Sequence, residues 1–133
     1  MILCFYKTLV MVVVIFDSSI QIAERFMELI ADSNKGIKFH TALKFSEGIN
    51  LLNECNPDAV LLDAKFSGNK TIELLQQIKT VNNKKAVVIL FGIKDELSLE
   101  QYKMSGVDYF LDKYDDFEKV AGIIKNIPAS NGA

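Results

Sequence analysis

Three apolar runs in this chain have the length and continuity of strands that are buried on both faces. They read MVVVIF from Met11 to Phe16, AVLL from Ala59 to Leu62, which runs straight into Asp63, and AVVILF from Ala86 to Phe91. A half-exposed strand alternates apolar and polar residues, whereas a strand covered on both faces does not. The runs therefore predict a parallel sheet with helices on both sides.

Helical patterns separate these runs, and two shorter strand patterns complete the series. The shorter strands are IKFHTA, which alternates like an edge strand, and VDYFL. Five consecutive βα units predict an α/β fold, a doubly wound five-stranded parallel sheet with five helices. Ser46 is expected to open the second helix. Asp115 is expected to cap the last one, with Glu118 completing a capping box.

The length of 133 residues is that of a single domain. We divide it into an N-terminal extension at 1–10, the domain at 11–127 and a flexible tail at 128–133, and the natural start is either Met1 or Met11. The apolar opening of the chain is too short to span a bilayer and lacks a signal-peptide cleavage site. A cytoplasmic location is therefore expected.

The charge and the cysteines exclude several classes of function. The formal net charge is −2, and the chain has no block of Lys and Arg that would track phosphates. Direct binding to nucleic acid or to a membrane is therefore not expected. Cys4 and Cys55 match no metal-binding spacing and are interpreted as small buried hydrophobic residues. The only histidine, His40, lies on the predicted edge strand, where a structural role is expected.

Charged residues stand where three of the predicted strands end. Asp17 follows the first strand, Asp63 ends the third, and Lys113 follows the fifth. In doubly wound sheets the ligands bind outside the carboxyl ends of the strands. Burying one unpaired carboxylate at such a strand end would cost roughly several kcal/mol of folding free energy. The pattern therefore predicts a site built from these three side chains.

These motifs resemble the receiver domain of bacterial response regulators. IFDSS stands where that family has a pair of acids, and NPDAVLLDAKFSGNKTIELLQQIK follows the pattern around its phospho-accepting aspartate. GVDYFLDK matches the stretch that ends in the family's lysine. The resemblance covers Met11 to about Ile127 and implies the strand order 2-1-3-4-5.

The resemblance implies a phosphorelay function at Asp63. This residue would accept a phosphoryl group from a histidine kinase or a phosphotransfer protein, and Lys113 would pair with Asp63 and then with the phosphoryl group. Mg²⁺ would be held by Asp17, Asp63 and the main-chain carbonyl of Lys65, with Ser18 contributing through a water. Such a chain is an acceptor that phosphorylates itself, not an enzyme.

Three positions depart from the family pattern. Ser18 replaces the second acid if the first helix is aligned without a gap, whereas a shift by one residue would make Asp17 the second acid and Phe16 the first. In either register one carboxylate is missing, so Mg²⁺ binding is expected to be weak. Phe91 stands at the switch position, where the family has Ser or Thr, and a phenyl ring donates no hydrogen bond to a phosphoryl group. Phe110 stands at the position where the family has its switching aromatic residue. Tyr114 replaces the proline after the lysine, so the preceding peptide bond is expected to be trans.

Two functions follow from this mixture of kept and lost residues. The first is a phosphorylated receiver whose output partner binds the face formed by the fourth helix, fifth strand and fifth helix. Whether such a receiver forms a homodimer is left open by the sequence. The alternative is a pseudo-receiver, an interaction module that works without phosphorylation. Five residues of the output face are candidates for an exposed apolar patch, but we interpret most of them as core or scattered surface residues: Leu99, Tyr102, Met104, Tyr109 and Tyr114. A flavodoxin-like protein or a phosphatase is disfavoured, because the loop after the first strand lacks both glycine and a second acid.

Overall fold

The computed structural model describes residues 9–33, 36–66, 70–81, 86–92, 96–128 and 131–132. Cys4 of the sequence analysis lies outside these ranges. Strands and helices alternate along the chain, and the strands are β1 (Leu9–Phe16), β2 (Ile37–Ala42), β3 (Ala59–Asp63), β4 (Val87–Gly92), β5 (Tyr109–Asp112) and β6 (Asn131–Gly132). The helices are α1 (Ile20–Ser33), α2 (Phe45–Glu54), α3 (Thr71–Val81), α4 (Glu96–Met104) and α5 (Lys119–Lys125).

The sheet has the predicted topology. Its strands lie in the order β2-β1-β3-β4-β5, and each neighbouring pair is parallel. The short strand β6 was not predicted; it pairs antiparallel with the start of β1, at Leu9 and Val10. β1 thus begins two residues before the predicted Met11. The proposed division into residues 1–10, 11–127 and 128–133 stays a prediction.

Residues of the central strands alternate between two hydrophobic cores. Val13 and Ile15 of β1 belong to the core under α1 and α5, whereas Val14 and Phe16 belong to the core under α2 and α3. Because successive side chains of a strand point to opposite faces, continuous apolar strands supply both cores at once. This geometry explains why the strands of the sequence showed no alternation.

A glycine lets α2 approach β1 closely. A Cβ atom on Gly48 would lie 2.6 Å from Cε1 of Phe16, whose ring is fully buried. A real Cβ atom essentially never comes that close, so any side chain at Gly48 would force the ring or the helix to move.

Two aspartates fasten neighbouring strands at the amino-terminal edge of the sheet. Oδ2 of Asp58, just before β3, accepts a hydrogen bond from the backbone N–H of Val12 at 2.8 Å. Oδ2 of Asp108, just before β5, accepts from the N–H of Val88 and from Nζ of Lys79, both at 2.8 Å. Each carboxylate satisfies a backbone donor that the ladder leaves open.

The ends of two helices differ from the prediction. The capping box at Asp115 and Glu118 was wrong, because α5 begins at Lys119 and Glu118 makes no side-chain cap. Instead, the backbone N–H of Asp115 donates to Oδ1 of Asp112, which folds this segment as a turn. The second helix begins at Phe45 rather than Ser46. At α5 the hydrogen-bonded turn after Asp112 thus takes the place of the predicted cap.

Among the described residues, no helix has both the length and the apolar character needed to cross a membrane. His40 is half-buried on β2, which is the edge strand that the sequence predicted.

Candidate functional site

Asp17, Asp63 and Lys113 lie together at the carboxyl ends of β1, β3 and β5. Nζ of Lys113 is 3.3 Å from Oδ2 of Asp63 and 3.9 Å from Oδ2 of Asp17. The two carboxylates are almost fully buried, with side chains 3% and 7% exposed. Taking two like charges out of water is costly unless a cation compensates them. Lys113, one quarter exposed, provides that cation.

Asp17 is held by the start of α1. Its Oδ1 accepts a hydrogen bond from the backbone N–H of Ser19 at 2.9 Å. Ser19 is the N-cap of the helix, because its Oγ faces the N–H of Ile22 at 3.4 Å. Burial raises the pKa of Asp17 above its ordinary value; the hydrogen bond from Ser19 opposes this, the charge of Asp63 adds to it, and Lys113 lowers it again. Burial is therefore the main reason why the pKa of Asp17 is raised.

Lys113 is positioned by the backbone of β4 and by the turn that follows it. Its N–H donates to the carbonyl oxygen of Gly92 at 3.0 Å. Oδ1 of Asp112 accepts from the N–H groups of Tyr114 and Asp115, each at 2.9 Å. The peptide bond between Lys113 and Tyr114 is trans, as predicted. Asp112 therefore organises the turn that holds Lys113.

The loop after β3 places Lys65 beside Asp63. The N–H of Lys65 faces Oδ1 of Asp63 at 3.4 Å, and the N–H of Phe66 donates to the carbonyl oxygen of Asp63 at 2.9 Å. Oγ1 of Thr71, the first residue of α3, donates to the carbonyl oxygen of Ala64 at 2.8 Å and so ties the loop to the helix. Sequence reasoning missed this role of Thr71. A hydroxyl at the first position of a helix after a short loop is the signal that was available.

The site offers few oxygen ligands for a metal ion. Within the described ranges, no group of three or more His, Cys, Asp or Glu side chains is arranged to hold a metal. Ser18 stands exposed in the bend after Asp17, in place of a further acid. Two adjacent carboxylates and a loop carbonyl are nevertheless hard oxygen donors, which suit Mg²⁺ with several waters retained. The donor set fits Mg²⁺, with little ligand charge to bind it tightly.

The two predicted switch residues lie on opposite faces of the sheet. Phe91 is the register partner of Asp63 and packs into the core under α1 and α5. Phe110 packs against the other core, where its ring stacks with Tyr102 at a centroid distance of 6.2 Å. It also lies against Gly92, since a Cβ atom there would be 3.4 Å from the ring. The sheet therefore separates the aromatic ring at the switch position from the switching aromatic.

Among the side chains that the structure describes, three on the predicted output face are large, apolar and exposed. Met104 on α4, Tyr109 on β5 and Tyr114 in the following turn are 86%, 46% and 79% exposed. Tyr102 is partly buried against Phe110. The side chain of Leu99 is outside what the structure describes.

An α/β sheet of this order, with acids and a lysine at the carboxyl ends of its strands, defines a class of doubly wound signalling domains. The model of the response regulator receiver domain family matches residues 13–125 of this chain. The chain therefore belongs to that family, whose members are the receiver domains of two-component signalling and generally bind Mg²⁺.

Solved structures of receiver domains have the same fold. The signal receiver domain of a DNA-binding response regulator from Colwellia psychrerythraea is 17% identical, with a TM-score of 0.77 over 86% of this chain and 95% of that one. A two-component response regulator from Clostridium difficile is 20% identical, with a TM-score of 0.76 over 86% and 93%. A CheY-like receiver domain protein from Methanospirillum hungatei is 17% identical, with a TM-score of 0.76 over 87% and 91%. A comparison with curated proteins gave no match.

Proposed function

We propose that this chain accepts a phosphoryl group on Asp63 from a histidine kinase or a phosphotransfer protein. The observation that supports the proposal most strongly is the buried Asp63 carboxylate, with Nζ of Lys113 at 3.3 Å from Oδ2 and Asp17 alongside. A structural cap at a strand end needs neither a second acid nor a lysine. Perturbed and compensated charges of this kind gather at functional sites.

Phosphoryl transfer here is a displacement at phosphorus. One Oδ of Asp63 attacks the phosphorus atom, the P–N bond to the donor histidine breaks, and the electron pair stays on the imidazole nitrogen, which takes up a proton. The product is an acyl phosphate on Asp63. Lys113, already beside the carboxylate, then lies close enough to pair with the charge of the phosphoryl oxygens.

Mg²⁺, when bound, neutralises phosphoryl oxygens as negative charge develops on them. We assign Asp17, Asp63 and the Lys65 carbonyl to hold it, with Ser18 acting through a water. Asp17 brings its carboxylate to this position because Ser19 fixes its other oxygen. The missing second acid makes the affinity low, because affinity in such sites follows the charge of the ligands.

The output is expected to pass to a protein partner at the face of α4, β5 and α5, where Met104, Tyr109 and Tyr114 are exposed. Exposed apolar side chains near one another are typical of interaction surfaces. We place the chain in the cytoplasm and expect it to act as an acceptor rather than as an enzyme.

Intact mass spectrometry after incubation with acetyl phosphate and Mg²⁺ tests the proposal. The parent chain should gain one phosphoryl group, and hydroxylamine should remove it, as it removes acyl phosphates. Asp63→Asn should gain none, whereas the matched variant Asp115→Asn, which changes an exposed acid, should behave like the parent.

The absence of a mass gain at saturating Mg²⁺ would overturn the proposal. It would favour the pseudo-receiver, a module that binds its partner without phosphorylation. The buried ring of Phe91 at the switch position is the feature of the chain that points in that direction.

A further inference from the structure

Phe91 lies directly beside the phosphoryl site and is enclosed by the core. It is the register partner of Asp63, and its carbonyl oxygen accepts a hydrogen bond from the N–H of Ala64 at 2.8 Å. Leu61, two residues before Asp63, belongs to the same core as Phe91, so the side chains of Asp63 and Phe91 share one face of the sheet. Phe91 is only 1% exposed.

Two further aromatic rings continue from Phe91 to the surface. The ring of Phe26 on α1 lies 4.6 Å from that of Phe91, and the ring of Phe117, just before α5, lies 4.4 Å from that of Phe26. The guanidinium of Arg25 sits 4.9 Å from the centre of the Phe117 ring. We call Phe91, Phe26 and Phe117 the aromatic column. The column begins at Phe91, the register partner of Asp63, and ends at the surface, where Arg25 lies over Phe117.

The outer end of the aromatic column forms part of a surface groove between α1 and α5. The residues that line this groove are Arg25, Glu28, Leu29, Asp32, Phe117 and Glu118. Three of them are acids, and Arg25 is the cation among them. A movement of Phe117 would therefore change both the apolar floor of the groove and the position of its positive charge.

We infer that the aromatic column couples the state of Asp63 to the groove between α1 and α5. The proposed function supplies the natural trigger, which is the phosphoryl group. A hydroxyl at position 91 would respond by donating a hydrogen bond, but a phenyl ring can respond only by being displaced. Close-packed interiors transmit such displacements instead of absorbing them. Phe26 takes up the movement, and Phe117 delivers it to the surface.

The arrangement of Phe110 supports this direction of coupling. Phe110 and Tyr102 lie on the opposite face of the sheet and belong to the other core, whereas the aromatic column lies wholly on the side of α1 and α5. The aromatic ring next to Phe91 on that side is Phe26, at a centroid distance of 4.6 Å. The structure thus assigns the groove as a surface that responds to changes in the ring at position 91.

Amide and arginine side-chain NMR spectra of the full chain test the coupling. The parent is compared with Asp63→Glu, whose carboxylate side chain is one methylene longer and crowds the register partner Phe91, and with the parent treated with acetyl phosphate and Mg²⁺. We expect resonance shifts at Phe117, at Glu118 and at Nε of Arg25 in both comparisons. In a Phe26→Leu background these shifts should be lost. In a Tyr102→Leu background, where a stacked ring is removed from the opposite face, they should persist.

Two results would overturn the coupling. One is an Asp63→Glu spectrum in which residues around the site shift while Arg25, Phe117 and Glu118 do not. The other is a set of shifts that survives Phe26→Leu unchanged. If Phe26→Leu fails to fold, the comparison of the parent with Asp63→Glu still decides. Intact mass separates this test from the proposed function, since a chain that takes up no phosphoryl group leaves the Asp63→Glu comparison valid.

Discussion

Nζ of Lys113 lies 3.3 Å from Oδ2 of Asp63, although their strands, β5 and β3, are separated by the whole width of β4. Neighbouring strands lie about 4.8 Å apart, so the lysine side chain must reach across roughly two such spacings. Its four-carbon stem and the hydrogen bond from its N–H to Gly92 make that possible. The cation then balances two carboxylates that have almost no contact with water.

Removing this cation should destabilise the fold. Lys113→Met leaves Asp17 and Asp63 buried beside each other without compensation, and we expect the free energy of unfolding to fall by about 1–3 kcal/mol. Urea unfolding at pH 7 measures the change. Lys119→Met is the matched control, because Lys119 is 68% exposed in its pair with Asp116 and exposed ion pairs contribute little to stability. Equal losses in the two variants would contradict the prediction.

The raised pKa of Asp17 predicts a pH dependence of stability. The folded chain holds the proton of Asp17 to higher pH than the unfolded chain does, so stability is greatest at low pH in this respect and falls as the pH rises through the folded-state pKa. Asp17→Asn keeps the oxygen that accepts from Ser19 and should flatten this fall, making the variant more stable than the parent at pH 7. Urea unfolding from acid to neutral pH checks it, with the exposed Asp115→Asn as control for net charge. A steeper fall in Asp17→Asn would refute the assignment.

The carboxylate of Asp108 should contribute more to the free energy of unfolding than its partial exposure suggests. It accepts from the buried strand residue Val88 and from Lys79, and Asp108→Ala leaves both donors without it. We expect a loss of about 1–2 kcal/mol in the free energy of unfolding. Thermal and urea unfolding measure it against Glu100→Ala, which truncates an exposed acid on α4. No difference between the two would show that water replaces the carboxylate at no cost.

Two helical glycines should respond in opposite ways to the same substitution. Gly48→Ala places a methyl group 2.6 Å from the buried Phe16 ring, and overpacking of this kind costs about 1–3 kcal/mol. Gly122→Ala on α5 meets nothing within 4 Å and should gain up to about 1 kcal/mol from helix propensity. Urea unfolding of both variants is the measurement. A stable Gly48→Ala would mean that α2 shifts freely on β1.

Restoring an acid beside Asp17 should strengthen the binding of Mg²⁺. Ser18→Asp adds ligand charge next to the two carboxylates, and we expect the dissociation constant to fall several-fold. Titration of the unphosphorylated chain with Mg²⁺, followed by amide NMR, measures it. Ser46→Asp, an exposed position in the first turn of α2, controls for the added charge. Equal Mg²⁺ affinities in Ser18→Asp and the parent would show that the metal does not bind beside Asp17.

The fold followed largely from local patterns in the sequence. β3 is apolar from Ala59 to Leu62 because both of its faces are covered, and that continuity is visible without coordinates. The start of α5 did not follow, because Asp115 and Glu118 satisfy a local capping pattern that the turn at Asp112 overrides. Asp58 and Asp108 link strands by accepting hydrogen bonds from N–H groups of other strands, and no local sequence pattern predicts those partners.

The sequence by itself determined which charges meet at the site, because parallel strands bring their carboxyl ends to one edge and Asp17, Asp63 and Lys113 follow three such strands. Only the tertiary structure decided what surrounds them. Whether the ring of Phe91 faces Phe110 or Phe26 depends on strand register and on the helix that covers that face. These are set by packing between residues far apart in the chain.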